Sequence, residues 1–325
     1  MIPDREYVFA SSFIKASDGR GTPAERLAKF REASDTEALR AAVSEAFGVS
    51  AENAYDGAVT AAVNLALEAI PDKELVSPLL YKYDCANIKT AIKCAIRNIS
   101  PEGLLYTCGT VPPETVIGAA AASDFKKLPG EMGKAAGEAL ETYRKTGEVR
   151  AIDLIIDRAC FEDMKNSAEK SGCTLVKDIV KLRADGVNLL TAIRISAEGH
   201  DSDTAFSLFE RAFVPGGNMS VSAFASQEAG VFSADKIAAR ACGAMSAAIK
   251  SAAKESDPEN AQRIIDEEII KLCRKFRFKP FGPEVAVSLI VVREAEITNC
   301  RIIEASFGED KADETVRERL RVAYV

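Results

Sequence analysis

Residues 83–94 read YDCANIKTAIKC, and residues 183–196 read RADGVNLLTAIRIS. Aligned without a gap, Asp84 falls on Asp185, Asn87 on Asn188, Thr90-Ala91-Ile92 on Thr191-Ala192-Ile193, and Lys93 on Arg194. A third version follows Pro283. Val285, Leu289, Val292, Glu296, Asn299 and Ile303 succeed one another at alternating spacings of four and three, which is one stripe of a helix. Glu296 and Asn299 therefore sit on an apolar face with the spacing of Asp84/Asn87 and Asp185/Asn188. An acid three residues before an asparagine means little alone. Two copies in matching contexts and a weaker third at a similar period point to an internal triplication.

A second register agrees. TPAERLAKFREASD (22–35) and VPPETVIGAAAASD (111–124) share Pro23/Pro112, Glu25/Glu114 and a closing Ala-Ser-Asp, all offset by 89. FVPGGNMSVSAFAS, from residue 213, is a degraded third version. Each repeat runs from a proline-started short helix, through a long helix, to the helix with the acid–asparagine pair. The expected domains are residues 1–104, 105–209 and 210–325.

Helical periodicity extends through nearly every long segment. It predicts helices over 24–32, 35–47 (capped by Ser34 or Asp35), 53–70, 78–98, 131–146, 150–170, 175–196, 203–211, 234–255, 258–276, 283–306 and 311–322. Prolines 101, 112, 113 and 215 with Gly216 and Gly217 punctuate them. Runs alternating at period two are few, so the expected class is all-α.

Composition narrows the chemistry. With 325 residues, 47% of them hydrophobic, the chain can bury substantial cores. It contains no apolar run of about 18 residues, and its first residues lack the basic and apolar regions of a secretory signal. The eight cysteines form no CxxC pair, which suits a reducing cytoplasm and small buried side chains rather than zinc or disulfides. A net charge of −7 opposes nucleic acid and anionic lipid. KFRFK (275–279) reads as a helix end carrying cations, then a short extended link. No phosphate-binding loop, GxGxxG or GxSxG occurs, so no nucleotide cofactor or metal is expected. The single histidine, His200, lies in the polar loop SAEGHDSD.

The repeated acid and amide admit two readings. Paired carboxylates serve acid–base catalysis. Against that, a reaction needs one site, whereas a helix crossing recurs in every repeat. In the structural reading these groups bond a neighbouring helix end or a cation, because buried polar groups must be satisfied and so fix geometry. No catalytic residue is assigned.

YDCANIKTAIK followed by GTVPPE, FEDM at Phe161–Met164, and the ending FGPEVAVSLIVVREAEITNCRIIEASFGEDKADETVRERLRVAYV carry a resemblance. They resemble the C subunits of the archaeal- and bacterial-type V/A-ATPases, counterparts of the d subunit of eukaryotic V-ATPases, over essentially the whole chain. The resemblance implies a non-catalytic part of a rotary ATPase. It implies three helical domains around a pseudo-threefold axis, forming a funnel. It also implies a monomer within the complex, on the cytoplasmic side of the membrane proteolipid ring, which receives the D–F central shaft and links ATP turnover to proton or sodium transport without direct lipid binding. Two rivals stand beside it. A generic helical scaffold would also be repetitive, although solenoid repeats usually run about 20–50 residues. A cysteine-dependent helical enzyme would need a base near its nucleophile.

Overall fold

The computed structural model describes residues 2–224, 237, 241, 243–255, 258–276, 278–307 and 313–322. Among them there is no strand. The helices are α1 (Val8–Ser17), α2 (Pro23–Arg31), α3 (Thr36–Phe47), α4 (Ala54–Ala69), α5 (Ser77–Arg97), α6 (Pro113–Ala122), α7 (Gly130–Thr146), α8 (Val149–Ser171), α9 (Thr174–Ala197), α10 (Ser202–Ala212), α11 (Val221–Phe224), α12 (Gly243–Glu255), α13 (Pro258–Arg274), α14 (Glu284–Ser306) and α15 (Asp313–Arg319). The periodic segments thus become helices with ends close to those expected. Two differ. Within 234–255, Ile237 and Gly243–Glu255 are helical, Ala241 is not, and 234–236, 238–240 and 242 lie outside the described residues. In the last segment Asp313–Arg319 is helical and 320–322 are not, while 311–312 lie outside the described residues.

Local chemistry sets the helix ends. Thr22 and Glu25 form a reciprocal capping box at the start of α2, with Pro23 at its first position. Asp35, not Ser34, caps α3 by accepting the Ala38 N–H at 2.8 Å. Helix α3 stops at Gly48, whose φ of 67° a side chain would strain. α13 ends with Lys271 and Arg274 in its last turn, where cations suit the carbonyl end. Beyond it Lys275 and Phe276 turn, and Lys279 pairs with Asp4 and Glu284.

The chain divides into two compact units. The terminal unit joins Met1–Lys73 to Ser251–Val325, and the middle unit is Glu74–Lys250. In the terminal unit α14 is the central helix, packed on α4, α13, α1, α2 and α3. Its buried residues run consecutively from Ala286 to Arg293, as expected of a helix surrounded on all sides. Its most extensive partner is α4. Fully buried Ala58, Ala62 and Ala66 recur there every four residues, and their small side chains let two backbones approach closely. Phe30, Leu39 and Val43 close the core from α2 and α3.

In the middle unit α8 lies between α7 and α5, with α9 and α10 packed beyond. Ile152, Ile156 and Met164 of α8 meet a core that includes Ile88 and Ile92 of α5 and Ala136 and Ala139 of α7. Removing one such large side chain from water contributes about 1.5–3 kcal/mol. These apolar seams place every acid–asparagine pair inside the protein.

Candidate functional site

The three asparagines make the same contact. Asn87 accepts the Tyr106 N–H and donates to the Tyr106 carbonyl, both at 2.8 Å. Asn188 does so with Val214, both at 2.9 Å. Asn299 does so with Arg321, at 2.8 and 3.1 Å. Each amide pairs with both backbone groups of a single residue in the chain that returns after its helix. Asparagine suits this role because one side chain offers both a donor and an acceptor. All three are buried.

The first two acids hold the same returning chain one step later. Asp84 accepts the N–H groups of Thr110 at 3.1 Å and Val111 at 3.0 Å, plus the Thr110 hydroxyl at 2.6 Å. Asp185 accepts the N–H groups of Asn218 at 3.0 Å and Met219 at 3.1 Å, plus the Asn218 amide at 3.3 Å. Glycine precedes both segments. A Cβ on Gly109 would collide with the Asp84 carboxylate, and one on Gly217 with that of Asp185. The backbone can therefore lie directly against the acid. Burial raises both carboxyls above the ordinary aspartate range, and the donated hydrogen bonds only partly oppose it.

The third acid departs from this pattern. Glu296 takes Arg26 of α2 in a two-point contact at 2.7 and 3.1 Å, and Arg293 one turn earlier at 3.3 Å. Arg26 in turn donates to the Gly21 carbonyl at 2.7 Å, and Arg293 to that of Ala58 at 3.2 Å. Arg293 also pairs with Asp18. The centroid of the Phe47 ring is 5.1 Å from the guanidinium of Arg26 and 3.6 Å from that of Arg293. Two cations and two carboxylates balance, which is what allows Arg26, Arg293 and Glu296 to be buried. Burial raises the Asp18 carboxyl despite both arginines, and it lowers Arg293.

The sequence thus places all six residues correctly on buried faces and conceals part of what they hold. The asparagines bond a returning segment rather than a neighbouring helix end. A cation is the partner of Glu296 alone. Arg26 and Arg293 are not evident from pattern, although Arg293 interrupts an apolar run three residues before Glu296. Asp163 of FEDM also has a task. It accepts the N–H groups of Glu131 and Met132, both at 2.9 Å, where α7 starts at Gly130 without a cap of its own.

None of these groups is arranged for a reaction. The carboxylate oxygens of Asp84 and Asp185 are occupied by N–H donors of their own chain. Among the described residues every cysteine is buried. Seven are free and buried, and Cys242 lies outside the described residues. Burial pushes the Cys300 thiol up, and contact with Cys160 together with burial raises that of Cys85. His200 is in a loop, 2.9 Å from Glu198. Among the described residues no group of three His, Cys, Asp or Glu is placed to hold a metal ion, and no helix is long and apolar enough to cross a membrane.

Comparison with known proteins gives this arrangement its context. The profile of the family described as ATP synthase (C/AC39) subunit matches residues 22–319. The C subunit of the A-type ATP synthase from Thermococcus kodakarensis is 20% identical over 274 residues, which span 82% of this chain and 74% of that protein. A match of that extent makes the chain a member of the ATP synthase (C/AC39) subunit family, the non-catalytic C-type subunits of V/A-type rotary ATPases.

Proposed function

We propose that this chain is the central-stalk subunit that links the D–F shaft to the membrane proteolipid ring, so that ATP turnover is coupled to proton or sodium transport. The observation that carries the reading is the family match over residues 22–319. The relative's name, which makes it the C subunit of an A-type ATP synthase, supports it. In this reading three sequence repeats, 1–104, 105–209 and 210–325, stand around a pseudo-threefold axis and form a funnel for the foot of the shaft. The recurring asparagine contact supports equivalence of the repeats. The third acid does not repeat the contact of the first two and binds Arg26 of α2 instead. The protein acts as a monomer within the complex, on the cytoplasmic side, and attaches to the membrane through protein rather than lipid.

Flotation tests the attachment. The purified chain should join proteoliposomes that contain the ring and ignore anionic liposomes that lack it, as its charge of −7 favours. It should also bind the D–F pair in solution. Complexes assembled without it should keep ATP hydrolysis in the head and lose ion pumping. Equal recruitment to bare liposomes would make it a lipid-binding protein, and full ATP-driven pumping in its absence would remove the coupling role.

A further inference from the structure

Large apolar side chains meet water together at one place in the terminal unit. Val8 and Phe9 are exposed at the start of α1, and the Phe9 ring stacks on that of Phe13 with centroids 5.3 Å apart. Helix α1 therefore has two apolar faces, since Ala10 and Ile14 are buried on the other. The segment between α13 and α14 adds Phe278 and Phe281, 86% and 37% exposed. The two pieces are neighbours. Asp4, about one helical turn before Val8, pairs with Lys279 at 3.0 Å, and Lys279 stands between Phe278 and Phe281 in the chain. Glu284 takes the same ammonium at 2.9 Å, which ties the segment to the start of α14.

With about 200 Å² for a whole phenylalanine, Phe9, Phe278, Phe281 and Val8 leave about 450 Å² in water, the size of a patch that is often a contact site. It is about half of the ~800 Å² that each partner of a stable protein pair buries, so it would not by itself hold a second copy of the chain. Its composition points to the occupant. Residues 275–281, KFRFKPF, interleave three phenylalanines with Lys275, Arg277 and Lys279, although the whole chain carries −7. Rings with long cationic side chains between them suit the boundary of a membrane, where the rings enter apolar surroundings and the cations stay in the wet layer. A bare anionic bilayer repels a chain of this charge. The exposed end of a membrane-embedded protein ring offers the same boundary through protein. We propose that this aromatic face, made by Val8, Phe9, Phe13, Phe278 and Phe281, is where the chain seats on the proteolipid ring. The seating presupposes the central-stalk role proposed above and assigns a surface to it. Lys279 positions that surface, because its pairs with Asp4 and Glu284 hold Phe278 and Phe281 beside α1.

Flotation of the full chain with ring-containing proteoliposomes tests the surface. Phe9→Ser and Phe278→Ser change exposed positions outside the core, and each should lower recruitment at least about tenfold, as loss of an aromatic anchor does. Both should keep the parent's helical circular dichroism and its binding of the D–F pair. Leu104→Ser, at an exposed apolar residue of the middle unit, should float like wild type. A photoreactive phenylalanine analogue at position 278 should crosslink to the proteolipid, and this readout decides alone if a serine variant fails to fold. Recruitment of both serine variants at the wild-type level overturns the proposal. So does loss of D–F binding in place of ring binding, or crosslinking to the shaft or to lipid in place of the proteolipid. Wild-type protein that ignores the ring altogether would instead refute the stalk role, and the seating with it.

Discussion

Replacing Asn188 by alanine should be among the most damaging single changes in the middle unit. Asn188 is fully buried and Val214, its partner, is 2% exposed. The substitution removes two hydrogen bonds of 2.9 Å and strands both the N–H and the carbonyl of Val214 away from water. Each stranded group costs about 1–3 kcal/mol, so the expected loss is about 2–5 kcal/mol. Asn87→Ala removes an equivalent pair of bonds, but Tyr106 is partly exposed and water can replace the amide. Its loss should be about 1–2 kcal/mol. Val187→Ala is the control, being adjacent in sequence and 37% exposed, with an expected change of about 0.5 kcal/mol or less. Urea unfolding followed by far-ultraviolet circular dichroism measures all three, with the transition that involves α9 taken for comparison if more than one appears. An Asn188→Ala midpoint equal to that of the control, or a larger loss for Asn87→Ala, would refute the reasoning.

Further outcomes follow from the acids. Glu296→Ala should cost about 3–5 kcal/mol in the same assay, because Arg26 and Arg293 would remain buried with one carboxylate fewer; a loss under about 1 kcal/mol would show that water reaches the cluster. Gly217→Ala and Gly109→Ala should each cost about 1–3 kcal/mol, since the added Cβ pushes the segment off its carboxylate, and unchanged melts would contradict the contact. The Asp185 carboxyl is raised in the folded chain, so the native state holds that proton to higher pH than the unfolded state does. Its contribution is complete below the ordinary aspartate pKa and declines as pH rises through the raised value. The stability advantage of wild type over Asp185→Asn should therefore be larger near about pH 4 than near about pH 7, and the opposite slope would reject the assignment.

Periodicity makes the helices legible because each long one buries a stripe or a whole circumference of apolar residues. The acid–asparagine pairs are legible for the same reason, as polar residues on those stripes. Their partners are not, because a side chain that bonds backbone leaves no residue-type signal at the other end. Tyr106, Val214 and Arg321 have nothing in common as side chains. The glycines before Thr110 and Asn218 do carry a signal, since each removes a Cβ where the acid must lie, but it is visible only once the acid's partner is known. Helix α1 is hidden in the sequence because its outer face carries Val8 and Phe9, 47% and 65% exposed, which blurs its amphipathic pattern. The grouping of Met1–Lys73 with Ser251–Val325 rests on contacts between residues far apart in the chain, and no local pattern announces such contacts.

That grouping has a consequence for synthesis. A ribosome delivers residues 1–73 first, yet the helix they enclose, α14, emerges only near the end of translation. Until then α2, α3 and α4 lack the surface that covers Phe30 and the alanines of α4. The middle unit, contiguous in sequence, can fold as it emerges, while the earliest-made segment waits with its apolar face open to chaperones and proteases. Nascent chains arrested before Glu284 should accordingly protect residues 74–250 from protease and leave residues 1–73 cleavable, with protection of the amino-terminal segment arriving only after α14 has cleared the exit tunnel.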